Sequence, residues 1–200
     1  HLAPAECVLH LRDMLPRLAS DIDTKRKFKR ACRPRFEGVE TVSGFGKPVR
    51  AAIDLAVAIP EAGIFVSGWL LDPMRLVERV ILKGTDGSYN RVDDVWGRLW
   101  RPDVSDGYRN DPVTGPAVQA APATAQRHGF AVFVPRPNVA RMAATYWLEI
   151  VLADESCAFL PFQPADAAQE GIADRLLTCL DPRDAAVRQI VERHLAPASI

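Results

Sequence analysis

The residues whose types and spacing could do chemistry crowd into one run, Trp96-Gly97-Arg98-Leu99-Trp100-Arg101-Pro102-Asp103-Val104. Read as a strand, it puts Trp96, Arg98 and Trp100 on one face and Leu99 and Arg101 on the other, because strand side chains alternate. Guanidinium groups lie well over indole rings, and exposed indole or phenol faces stack on sugar rings. That face therefore suits a carbohydrate, with Tyr108 or Trp69 as helpers. The competing reading is structural. Tryptophan fills cores more often than it forms platforms, and an Arg101–Asp103 or Arg98–Asp103 pair would then staple the chain as it leaves the strand. Trp96, Arg98, Trp100, Arg101, Asp103 and Tyr108 are the candidate ligand residues.

A second candidate follows Asp21, where Thr24–Phe36 carries Lys25, Arg26, Lys27, Lys29, Arg30, Arg33 and Arg35 with no acid between them. Lys25, Arg26, Lys27, Lys29 and Arg30, interleaved with Phe28, suit phosphate, nucleic acid or an anionic membrane surface. The plainer reading is a solvated helix face or a linker.

Other chemistries lack their residues. Neither Ser67 nor Ser43 has the glycine two positions earlier that a nucleophile elbow needs. Gly44-Phe45-Gly46-Lys47-Pro48 lacks the spacing and the hydroxyl residue of a phosphate-binding loop, and no GxGxxG is present. Histidine occurs only at 1, 10, 128 and 194. His128 borders a strand and has the chemistry of a general base, but no Ser, Cys or carboxylate partner is visible beside it. Cys7, Cys32, Cys157 and Cys179 form no CxxC pair, and Cys7 with His10 makes only half a metal site. Asp103, Asp106, Asn110 and Asp111 do not follow a calcium-loop spacing. No catalytic residue, metal or cofactor is assigned.

The elements that must position these residues fall into three zones. Val8, Leu9, Leu11, Met14, Leu15 and Leu18 mark a helix stripe ahead of the basic run, so residues 1–38 form a helical, basic segment. From 39 to 163 the period is two. Val49, Ala51, Ile53, Leu55, Val57 and Ile59 alternate with Arg50, Ala52, Asp54 and Ala56, predicting one strand with its odd positions in a core. Gly63–Leu71 is apolar on both faces, as an interior strand is. Leu76–Lys83, Tyr89–Trp100, His128–Val134, Thr145–Leu152 and Cys157–Phe162 complete about seven strands, with a hairpin turn at Asp86-Gly87. Short strands without helices between the first pairs predict antiparallel pairing, an immunoglobulin-like β-sandwich with flanking N- and C-terminal helices. Ser105–Arg127 shows no apolar period and reads as a long loop. Residues 164–200 return to helical spacing. Ile172, Ala173, Leu176, Leu177 and Leu180 form one stripe; Val187, Ile190, Val191 and Leu195 form a second after Asp181-Pro182.

The chain of 200 residues carries 25 basic and 25 acidic side chains, so its formal charge is zero, and 48% of it is apolar. That length supports a real core without staples. Zero net charge argues against a protein that coats nucleic acid. No run reaches the ~18 apolar residues of a transmembrane helix. His1–Leu15 has no basic n-region ahead of its apolar residues, so a reduced, cytoplasmic setting is expected.

Val66-Ser67-Gly68-Trp69-Leu70-Leu71-Asp72-Pro73, then Val80-Ile81-Leu82, Asp86-Gly87, Arg101-Pro102-Asp103-Val104 and Gly129-Phe130 occur in one order. That order resembles the β-sandwich accessory modules beside the catalytic domains of bacterial family 2 glycosyltransferases and some methyltransferases of surface-glycan synthesis. Pro161-Phe162 and Glu192–Pro197 are similar to the connector leading into the transferase domain. The resemblance implies a non-catalytic module that binds glycan or positions neighbouring domains. It implies no catalytic residue, since no DxD motif tied to an α/β pattern occurs. A structural module docking through its terminal helices, or onto a second copy, is the alternative, and an enzyme with an unrecognised site comes last.

Overall fold

The computed structural model describes residues 21–122, 126–135, 144–179 and 184–190, together with His10, Asp13, Met14, Arg17 and Glu192. Most of the first helix stripe, Cys7, and the stripe positions Leu180, Val191 and Leu195 lie outside the described residues.

The first element is α1 (Ile22–Ala31). Asp21 caps it by accepting from the backbone N–H groups of Asp23 and Thr24, both at 2.9 Å. Lys29 and Arg30 complement the dipole in its last turn. Nine strands follow among the described residues: β1 (Arg50–Ile59), β2 (Gly63–Leu71), β3 (Val77–Gly84), β4 (Tyr89–Arg91), β5 (Gly97–Leu99), β6 (Gly129–Pro135), β7 (Tyr146–Leu152), β8 (Cys157–Phe162) and β9 (Ala165–Asp166). They form two sheets, β5-β6-β2-β1-β9 and β4-β3-β7-β8. Every pairing is antiparallel except β1 with β9.

The fold is mainly β, as the period of two requires. Val66, Leu70, Phe130 and Val132 of the five-stranded sheet share one buried cluster with Val80, Leu82, Leu148 and Ile150 of the four-stranded sheet. Both faces of β2 are apolar because Val66 and Leu70 pack between the sheets, whereas Phe65 packs on the opposite side with Ile172, Val187 and Ile190. Gly87 turns the β3–β4 hairpin with φ +85°, a value open to glycine at no steric cost.

Three expectations change. β1 does not keep its odd positions on one face. A register shift between Ile53 and Leu55 inserts Asp54 as an extra residue, so a bulge reverses the alternation. Ala51 and Ile53 pack on the inter-sheet core, whereas Leu55, Val57 and Ile59 pack on the opposite side. Tyr89–Trp100 is not one strand. Asp93 and Asp94 lie in a turn between β4 and β5, which belong to different sheets. Ser105–Arg127 is not all loop either, since α2 (Pro102–Tyr108) and α3 (Gly115–Ala120) occupy much of it. Helices of seven and six residues are too short to print an apolar period.

Both outer faces of the sheets are covered. α4 (Ile172–Cys179) and α5 (Ala185–Ile190) bring Ile172, Val187 and Ile190 onto Leu55, Val57, Phe65 and Phe133. On the other flank Phe36 stacks on Trp147 with ring centroids 4.4 Å apart, over Ile81, Val151 and Phe159. Among the described residues no helix is long and apolar enough to cross a membrane.

Candidate functional site

The antiparallel register of β5 with β6 pairs Leu99 with Gly129. Residues just before β6 and just after β5 therefore end up together, beside the turn that follows β2. A cleft of about 430 Å³ opens there, lined by Asp72, Arg75, Trp96, Arg98, Arg127 and His128 among others.

Two of the six candidate ligand residues line that cleft. Trp96 lies just outside β5, half-buried and stacked on Phe130 at 5.0 Å between centroids. The Arg98 guanidinium sits over the Trp96 ring at 5.0 Å. Arg98 Nε donates to the Arg127 carbonyl at 2.9 Å, and Nη2 donates to the same oxygen. Burial pulls the Arg98 guanidinium below the ordinary arginine value, with the Asp72 charge opposing.

The other four lie elsewhere. Trp100 is outside the strand and 56% exposed. Tyr108 packs on Trp69 at 5.5 Å. Arg101 grips Asp103 through Nε at 2.9 Å and Nη2 at 2.8 Å, while Nη1 reaches Asp54 at 2.6 Å. The Asp103 hydrogen bond, then the Asp54 one, raises the Arg101 guanidinium, and Arg101 holds the Asp103 carboxyl below the usual range. This is the Arg101–Asp103 staple, extended to the bulge of β1. Trp96, Arg98 and Trp100 thus do not form one strand face.

The basic run also divides. Lys25, Arg26 and Lys29 share one face of α1 and line a cleft of about 600 Å³ with Asp13, Arg17 and Asp154. Lys27 and Arg30 are exposed and line none of the clefts described here. Arg26 Nη2 donates to Glu78 at 3.1 Å. Arg33 Nη1 donates to Glu149 at 3.1 Å and its Nε lies 3.6 Å from Glu155. Arg79 meets Glu155 at 2.9 Å and Lys83 pairs with Glu149. The segment's charge is thereby spent in part on the acids of β3, β7 and the turn after β7.

Sequence reasoning missed the partner of His128. Its Nε2 shares a hydrogen bond of 2.6 Å with Ser105 Oγ, and both residues are buried. Burial, then the Arg98 charge, pushes the His128 imidazole below its ordinary value, while Asp103 pulls the other way. The two are 23 positions apart, so only the β5–β6 register reveals the contact. Asp72, Arg75 and Arg127 were missed for a similar reason, since Asp72 and Arg75 stand in the β2–β3 turn and Arg127 in the distant segment before β6.

Asp103, Asp106 and Asp111 are engaged singly. Asp106 pairs with Arg109 at 3.1 Å, and Asp111 accepts from the N–H groups of Val113 and Thr114. Among the described residues, no group of three or more His, Cys, Asp or Glu side chains forms a metal site.

A scan against protein-family models finds no match, and searches of curated proteins and of solved structures find none.

Proposed function

We propose that the chain is an immunoglobulin-like accessory module of a glycosyltransferase-type protein, and that it binds glycan without catalysing a reaction. The observation that carries the reading is the cleft beneath Trp96 and Arg98. There, indole, guanidinium and carboxylate groups converge on one concavity of sugar size, the mixture that a polyhydroxylated ring with an apolar face requires.

The immunoglobulin-like assignment draws on strand order. β1-β2-β6-β5 opposite β4-β3-β7-β8 follows the A-B-E-D and C′-C-F-G order of such domains. Tyr146 opens the strand that would be F, although its hydroxyl donates to Asp86 at 2.6 Å rather than to backbone. The paired cysteines of antibody domains have no counterpart on the strands that would be B and F, since β2 and β7 contain no cysteine. The transferase association draws on the motif order from Gly68-Trp69 to Gly129-Phe130.

A second reading is favoured by Leu177, 69% exposed on the outer side of α4. It makes the chain an assembly module that docks a neighbouring domain or a second copy through its terminal helices.

Titration with surface-polysaccharide fragments, followed by tryptophan fluorescence, tests the glycan reading. Saturable change that disappears in Trp96→Ala is expected. No change with any fragment, in a chain whose circular dichroism shows it folded, contradicts it.

A further inference from the structure

The cleft at Trp96 has an imbalance of charge. Its three acids are all engaged by the protein itself. The two oxygens of Asp72 accept from the backbone N–H groups of Leu76 and Val77, each at 2.8 Å. Asp93 accepts from the N–H of Val80 at 2.7 Å and from the Arg91 guanidinium. Glu78 is held by Arg26 and Arg79.

The three cations are not matched in the same way. Arg98 makes no ion pair among the described residues, and its hydrogen bonds all go to main-chain carbonyls. Its Nη1 donates to nothing there. Arg75 and Arg127, both exposed at the mouth, make no side-chain hydrogen bond or ion pair among the described residues. Arg75 also holds a left-handed backbone, φ +54°, which a non-glycine residue seldom keeps. The Asp72 carboxylate acts on Arg98 without hydrogen-bonding to it, so Nη1 is left to water or to an incoming anion.

We propose that this cleft selects an anionic saccharide, taking a carboxylate or phosphate oxygen on Arg98 Nη1 while Arg75 and Arg127 close over the same charge. The inference rests on the glycan reading above and narrows its ligand class. Arg98 Nη1 suits both groups, because an anionic oxygen of either one accepts a charge-assisted hydrogen bond from it. The neutral part of the ligand lies along Trp96 and Pro73. Buried His128 forms the wall and contributes no competing carboxylate.

The test is calorimetric titration of the full chain with four probes: a glucuronate-containing tetrasaccharide, glucose 1-phosphate, neutral maltotetraose and inorganic phosphate. The charged saccharides are expected to bind, to weaken as salt screens the contact, and to lose about tenfold to a hundredfold in affinity in Arg98→Gln. Arg75→Gln, in an exposed turn, gives a smaller loss and guards against misfolding of the Arg98 variant. Tetrasaccharide and glucose 1-phosphate binding are compared to separate the two anion sources. Maltotetraose binding as tightly as the charged sugars overturns the anion proposal and leaves the glycan reading standing. Inorganic phosphate binding at Arg98 as tightly as any sugar shows that the saccharide adds nothing, and overturns the glycan reading and the proposal together. No binding by any probe overturns both.

Discussion

At the scale of single residues, the chemistry is decided by which charges find partners. Arg101 illustrates one outcome, since Asp103 and Asp54 hold it from two sides and leave it no capacity for a ligand. Arg98, three positions earlier, illustrates the other. His128 gives a prediction at this scale. Its folded-state imidazole lies below the ordinary value of 6.5, because burial and Arg98 oppose the charged form. The unfolded chain therefore binds the proton more readily, and the stability present above about pH 6.5 is lost as pH falls. The melting temperature of the native chain is expected to drop between pH 7 and 5. His128→Gln should remove most of that slope, because carboxylates titrate mainly below this window. Equal slopes in both proteins would contradict the assignment. The residue types of the site were legible, since Trp96 and Arg98 stand out by spacing alone. Their companions were not, because Ser105, Arg75 and Arg127 carry no local pattern.

At the scale of elements, the bulge in β1 has the largest consequence. Alanine at 51, 52, 56 and 58 makes the strand apolar on both faces, so its hydropathy cannot mark where the alternation reverses. The alternation of Ala51 and Ile53 was legible; the reversal at Asp54 was not. The reversal sends Leu55 and Val57 to α4 and α5, and it places Asp54 where Arg101 can reach it. Gly68 stands opposite the bulge, paired with Ile53. A Cβ there would lie 2.2 Å from the Ala52 carbonyl oxygen, a main-chain atom that cannot step aside. Gly68→Ala is therefore expected to destabilise the chain by about 1–3 kcal/mol, read by urea unfolding. A neutral result would mean that β1 and β2 do not approach this closely. The short helices α2 and α3 escaped notice for the length reason already given, yet α2 supplies the serine that buttresses His128.

At the scale of the whole molecule, two sheets share a core and each outer face receives a terminal segment. Most of the strands and their antiparallel sense were legible because alternation and turn residues are local signals, whereas the split of Tyr89–Trp100 into β4 and β5 and the two-residue β9 were not. Which segment covers which face was not, because that depends on long-range pairs such as Arg33 with Glu149 and Phe36 with Trp147. With both faces covered, the concavity between β5, the turn after β2 and the residues before β6 is where aromatic and guanidinium groups come together, and the proposal places the ligand there. Hydrogen–deuterium exchange of the full chain, with and without a saturating surface-polysaccharide fragment, tests this claim most directly. Slowed exchange is expected in residues 72–78, 93–98 and 126–128. Slowed exchange confined to α4 and α5, or none anywhere, would contradict it.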